Sequence, residues 1–176
     1  MDMSLKERFL KLWRQYFNDA ELPITFYYAD TPGNAETAQP AGAQRCVIGD
    51  LARVRKGQSL ALDVNSVGCA GGRRYLGFAA DLMPDFEYFL SYGIPGKLEG
   101  ERYKKTPEMV KEYMAKHAPA MKAPARYIVF KRWDKLGAAD APEVVICFVC
   151  PDALAGLFTL ASYDEADQNM VIAPFG

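Results

Sequence analysis

Apolar residues near the start of the chain recur at helical spacing: Leu5, Phe9, Leu12, Trp13, Tyr16 and Phe17 fall on one face. The pattern predicts an amphipathic helix over 4–18, its aromatic stripe packed on a core. Ser4, with Glu7 three residues on, has the spacing of a capping box. Pro23 closes the region, and the β-branched and aromatic run Ile24-Thr25-Phe26-Tyr27-Tyr28 predicts a strand. From 30 to 42 the chain is rich in Pro, Gly, Asn, Thr and Ala, a long loop of the kind that lines sites. A short helix over 44–56 comes next, with Cys46, Val47, Leu51 and Val54 near one face and Gly57 as its stop.

Leu60 to Val64 reads as a buried strand, and it feeds a glycine-rich turn, Gly68-Cys69-Ala70-Gly71-Gly72-Arg73-Arg74. The pattern then predicts a helix over 73–82 interrupted by Gly77, and a second short one from Met83-Pro84-Asp85 to about Gly93. Thr106-Pro107-Glu108 is a strong helix start, with a Thr cap, proline at the first position and an acid in the first turn. That helix should run to about Lys116, closed by Pro119. Tyr127 to Trp133 predicts a strand. Val144-Val145-Ile146-Cys147-Phe148-Val149 is apolar without alternation, which predicts a central strand covered on both faces. Pro151-Asp152 opens a helix through about Leu160, and Met170 to Ala173 reads as a last strand.

The elements sum to one α/β or α+β domain over 1–176, with helix 1–20 packed on it and a mixed sheet of about five or six strands flanked by helices. Their order hints at a weak internal duplication: strand, loop, helix, strand and Gly-Cys over 24–69, then strand, turn, helix, loop and strand over 144–176. On that reading a C-terminal piece with a second Gly-Cys is missing.

Composition narrows the function classes. The 176 residues are half apolar, with 10 Tyr and 10 Phe, as a folded core requires. Net charge is −1 with no basic block or basic helix face, so neither nucleic acid nor an anionic membrane is expected as partner. No apolar run reaches the roughly 20 residues that span a bilayer. The charged N-terminus lacks a signal-peptide pattern, which points to the cytoplasm. There the four cysteines (Cys46, Cys69, Cys147, Cys150) are expected as thiols, ligands or redox groups.

Cys69 is the chemical focus. At a strand-to-helix junction, free backbone N–H groups favour thiolate over thiol, and the guanidiniums of Arg73 and Arg74 would add to this. Gly71 and Gly72 would let a ligand approach the backbone, or form an anion-binding nest. With Asn65 and Cys46 these residues make a candidate site for a phosphate, a carboxylate or a metal on the thiolate. The bland alternative is a tight turn around a small buried cysteine. The turn lacks the G-x-G-x-x-G order of a dinucleotide site and the Gly-Lys-Ser/Thr ending of a P-loop. Cys46 and Cys69, at two loop–helix junctions, could converge on a metal ion or an iron–sulfur cluster, which would need further ligands or a second subunit. Cys147 reads as strand packing, and Cys150, before Pro151, resembles Cys69 in placement. His117, the single histidine, reads as a solvated helix cap. Asp63 is the nearest acid to the turn, as a base or, better, as an ion-pair partner for Arg73.

The run Asn65-Ser66-Val67-Gly68-Cys69-Ala70-Gly71-Gly72-Arg73-Arg74-Tyr75-Leu76-Gly77-Phe78 resembles the signature of the bacterial and archaeal domain of unknown function 169 family. Leu22-Pro23-Ile24-Thr25-Phe26, Arg45-Cys46, Tyr127-Ile128-Val129-Phe130, Glu143-Val144-Val145-Ile146 and Pro151-Asp152-Ala153-Leu154 occur in similar order. The resemblance implies a cytoplasmic protein with no settled activity, in which Cys46 and Cys69 match the family pattern and Cys147 and Cys150 do not. It also implies relatives that continue further, with another Gly-Cys stretch.

The sequence therefore leads to a protein that binds a small molecule, anion, metal or cofactor through its Cys/Gly-rich turn. A cysteine-dependent enzyme using Cys69 is the alternative, short of a convincing proton acceptor. A non-catalytic interaction module displaying Tyr88, Tyr92 and Tyr103, homo-oligomeric or otherwise, is the third reading.

Overall fold

The computed structural model describes residues 1–40, 46–117, 120–167 and 170–172. Helix α1 (Met3–Tyr16) leads into strand β1 (Ile24–Ala29), the short β2 (Glu36–Thr37), helix α2 (Val47–Arg55) and strand β3 (Leu60–Leu62). Helices α3 (Ala70–Tyr75), α4 (Phe86–Phe89) and α5 (Pro107–His117) come after it, then β4 (Tyr127–Arg132), β5 (Val144–Ile146) and α6 (Pro151–Tyr163). The strands make one open, mixed five-stranded sheet in the order β2-β3-β4-β1-β5, an α+β fold. β2 runs parallel to β3, and every other pairing is antiparallel. The loop expected over 30–42 thus holds a short edge strand, and β2, α2 and β3 form a small β–α–β unit.

Side chains alternate along β4, and this period of two divides the chemistry of the molecule. Ile128 and Phe130 enter the larger core with Ile24, Val54, Leu60, Leu62 and Val67, beneath α2. Tyr127 and Val129 enter a thinner core on the opposite face with Tyr27, Ala35 and Ala61. Lys131 continues in the same phase and is 1% exposed, a charge held inside the thin face.

Helix α1 forms, but its cap and face differ from expectation. Asp2 is the cap, its Oδ1 accepting the N–H groups of Ser4 (2.8 Å) and Leu5 (3.4 Å), because the chain turns helical before Ser4. Leu10 and Trp13 are buried while Leu5, Leu12 and Tyr16 are exposed. Phe9 packs on Trp133 with ring centroids 4.1 Å apart, and Lys6 reaches the Leu136 carbonyl (2.8 Å). Packing on Trp133 and Leu136 therefore selects a face rotated from the hydrophobic stripe.

The C-terminal third departs furthest. The run 144–149 is not a covered central strand: β5 stops at Ile146, lies at the sheet edge, and exposes Val144 and Val145. Nothing in α6 is buried, so the helix does not close over that face. Cys147 consequently lies beyond the strand and is exposed, contrary to its reading as strand packing. Residues 170–172 are not a strand, so the second half of the expected duplication lacks its final element there; Ala173 lies outside the described residues. The start of the helix expected from 44, with Arg45, and the Pro119 stop also lie outside them. Among the described residues no helix is long and apolar enough to cross a membrane.

Candidate functional site

Strand β3 delivers the chain into the turn, and Asp63 organises the first residues beyond it. Its Oδ1 accepts the N–H groups of Asn65 and Ser66, each at 3.0 Å, while the Asp63 N–H donates to Ser66 Oγ (2.7 Å). This is an Asx turn, a side chain standing in for a backbone acceptor. The Asp63 carboxylate serves its own turn and does not pair with Arg73, because the local N–H groups lie closer to it than any guanidinium.

Cys69 caps α3 in extended conformation, and its Sγ accepts the Gly72 N–H at 3.2 Å. The helix begins three residues earlier than its apolar pattern indicates, so Gly71 and Gly72 are helical. They do not form a nest, which needs positive φ. Gly72 is there for steric reasons. A Cβ at that position would stand 2.7 Å from Cys69 Sγ, 3.0 Å from Val67 Cγ1 and 3.3 Å from Val47 Cγ1. At Gly71 a Cβ would meet nothing within 4 Å. Gly72→Ala is therefore expected to lower the urea midpoint clearly, by overpacking worth about 1–3 kcal/mol. Gly71→Ala should hold or slightly raise it, as alanine favours a helix. Equal midpoints for the two variants would contradict the packing described.

The same contacts locate Cys46. It caps α2 without a side-chain hydrogen bond, and the next residue, Val47, packs against Gly72 and so beside Cys69. The N-terminus of α2 thus packs beside the turn that holds Cys69. The opposite end of α2 sits elsewhere, with the Arg55 guanidinium 4.3 Å from the centroid of Phe148. The nine residues of α2, about 13 Å of helix, run from the residue after Cys46 to Arg55. Cys150 also caps a helix, α6, as its placement predicts, but it lines a different hollow with Phe17 and Gly156. The four cysteines do not form one centre.

Arg73 and Arg74 each give a hydrogen bond to the backbone of their own loop. Arg73 Nε donates to the Val67 carbonyl (2.7 Å), and the Arg74 guanidinium donates to the Ala80 carbonyl from a buried position. Both brace the backbone around the turn by giving hydrogen bonds to carbonyls, groups that need donors when buried.

Past α3, Gly77 turns the chain at φ +74, and its carbonyl accepts the Ala123 N–H at 2.8 Å. That bond fastens the 120–126 segment against the turn. Between them lies a cleft of about 530 Å³, lined by Asp63, Asn65, Phe78, Met121, Lys122 and Arg126 among others. Asn65, an expected ligand-binding residue, belongs to this cleft and Cys46 does not. Among the described residues no group of three or more His, Cys, Asp or Glu side chains is arranged to hold a metal ion. The expected pair, Cys46 and Cys69, would supply two thiolates; a tetrahedral centre needs others.

His117 is exposed at the end of α5, its ring 5.4 Å from that of Tyr113. Tyr92 and Tyr103 are exposed, while Tyr88 is half-buried with its ring 6.2 Å from Tyr92.

The sequence pattern missed one cluster. On the thin face of the sheet, Lys131 Nζ donates to both oxygens of Asp140 (2.7 and 2.8 Å) and to Asn34 Oδ1 (2.5 Å). Tyr27 donates its hydroxyl to Asp140 Oδ1 (2.5 Å), and the Gly137 N–H reaches Oδ2 (2.7 Å). Burial works against the Asp140 anion, but these hydrogen bonds outweigh it and hold the carboxyl below the usual range. Burial first, then the hydrogen bond to Asp140 and its charge, push the Tyr27 hydroxyl up, so it remains a donor. The available signal was the phase of Lys131, which alternation assigns to the same face as Tyr127 and Val129.

No curated protein sequence and no solved structure matches the chain. The family model for domain of unknown function 169, described as uncharacterised ArCR, matches residues 16–176, which include the turn, the three helix-capping cysteines and all five strands. The chain belongs to that uncharacterised family.

Proposed function

We propose that this is a cytoplasmic binding protein whose site is the junction capped by Cys46 and Cys69, and that its ligand is a small thiophilic species, a soft metal ion or a cofactor carrying one. A single observation carries this reading: Val47, the residue after Cys46, and the Cys69 sulfur both pack on Gly72, so the cysteine-capped ends of α2 and α3 approach one another. Thiolates are the natural donors for soft metals, and a pair of them without a nearby base suits holding a ligand better than nucleophilic attack. The Cys69 sulfur meets a backbone N–H, and the turn's nearest carboxylate, Asp63, is occupied by Asn65 and Ser66.

Cadmium, a soft ion whose thiolate complexes absorb in the ultraviolet, is the test probe. One cadmium ion should bind per wild-type chain under reducing, anaerobic conditions. Cys46→Ser and Cys69→Ser should each weaken binding at least about tenfold, the scale on which ligand losses are felt. Cys150→Ser should leave it unchanged. Equal binding by Cys69→Ser and wild type would overturn the proposal.

A further inference from the structure

A second cavity, on the opposite face of the sheet from α2, is built around chemistry that the thiol junction does not use. It measures about 480 Å³, and Tyr27, Thr31, Gly33, Asn34, Ala138 and Asp140 are among its lining residues. Three polar side chains from three segments line it, Tyr27 of β1, Asn34 of the 30–34 loop and Asp140 of the 137–140 loop, and Lys131 of β4 lies behind them, outside the lining, bonded to Asn34 and Asp140. Three of the four are nine-tenths or more buried, Lys131 at 1%, Asp140 at 7% and Tyr27 at 9% exposure. Convergent polar groups of this kind at the floor of a hollow with small apolar walls are the usual makings of a ligand site.

We propose that this cavity binds a small neutral molecule bearing a carboxamide, urea or lactam carbonyl, whose oxygen takes the place of Asn34 Oδ1 on the Lys131 ammonium. Asn34 is the exposed member of the cluster, so its side chain can swing away without opening the core. Among the described residues it is also the sole neutral acceptor on Lys131 Nζ; the other two are the oxygens of Asp140. Charge sets the ligand class. The Lys131 ammonium already meets the Asp140 carboxylate, and the Met1 ammonium is held by the Ala138 and Asp140 carbonyls, so an anion placed on Lys131 would lie against the Asp140 carboxylate in a desolvated place. A carbonyl oxygen reproduces what Asn34 supplies and leaves the balance intact. Ala29, Ala138 and Ala139 give the body of the ligand apolar walls, and Gly33 leaves open space at the rim.

Benzamide and benzoate, matched in shape and opposed in charge, test this on the full chain by amide chemical shifts in isotope-labelled protein. Benzamide should shift the Gly33, Gly137 and Asp140 amides saturably. In Asn34→Ala, which removes an exposed side chain and keeps the fold, it should saturate at about tenfold lower concentration, the worth of one competing hydrogen bond. Benzoate should bind at least about tenfold more weakly in both proteins. Absence of saturable shifts, identical affinity in wild type and Asn34→Ala, or equal binding of benzoate would each overturn the proposal. Cadmium binding at the cysteine junction is a separate readout, so the two sites stand or fall independently.

Discussion

Lys131→Met is expected to destabilise the protein by about 3–5 kcal/mol, the usual result of deleting one partner of a buried ion pair. Methionine fills the space well, so the loss is electrostatic: among the described residues Asp140, 7% exposed, keeps only Tyr27 and Gly137 as donors. Lys131→Met combined with Asp140→Asn should recover part of that loss, because the neutral amide removes the unpaired charge and still accepts from Tyr27 or Gly137. Urea unfolding of the two variants checks this, and a double variant as unstable as the single one would contradict it.

The same pair makes a pH prediction. Asp140 has a folded-state pKa below its unfolded value of about 3.9. Its contribution is therefore complete above that unfolded value and fades as pH falls through the folded one. The stability gap between wild type and Asp140→Asn should be constant near neutrality and shrink as the pH is taken below about 4.

Gly77→Ala should be the most damaging small change near the turn. Two effects add there. An L-residue at φ +74 costs about 1–2 kcal/mol, and a Cβ would lie inside van der Waals contact of the Ala123 backbone nitrogen. Backbone cannot rotate away as a side chain can, so the 120–126 segment must move and the Ala123-to-Gly77 hydrogen bond weakens. Gly96→Ala is the internal control: its φ is +71, but a Cβ there meets nothing within 4 Å. It should show the conformational cost alone. The difference in urea midpoint between the variants measures the clash, and amide exchange at Ala123 should quicken in Gly77→Ala only. Matching behaviour would mean that the segment is not fastened as described.

How much of this the sequence disclosed depended on the range of the forces involved. Local chemistry was legible. Thr106-Pro107-Glu108 opens α5, Gly57 stops α2 at φ +98, and Cys69 sits at a helix start. Each is decided within a turn of chain by dihedral preference and free N–H groups. Convergence was less legible. The approach of Val47 to Gly72 depends on how α2 lies on the sheet, which periodicity does not encode. Arg73 and Arg74 were hard to read for a related reason: their charge suggests an anion, and their hydrogen bonds to the Val67 and Ala80 carbonyls depend on how the loop folds. At the C-terminal end, an unbroken apolar run says that a strand is able to be covered, not that a neighbour covers it. Val144 and Val145 are the instance. The Lys131–Asp140 pair spans β4 and a loop, and the lysine's phase on the strand was its one local trace.

A shared thiol site requires Cys46 and Cys69 to close on the same spot. Alkylation of the native protein with iodoacetamide, with and without one equivalent of cadmium, combined with peptide mapping, tests this most directly. Cadmium should protect Cys46 and Cys69 together and to the same extent, while Cys147 and Cys150, both exposed, react as before. Protection of Cys69 alone, or of Cys147 and Cys150 in place of the pair, would contradict it.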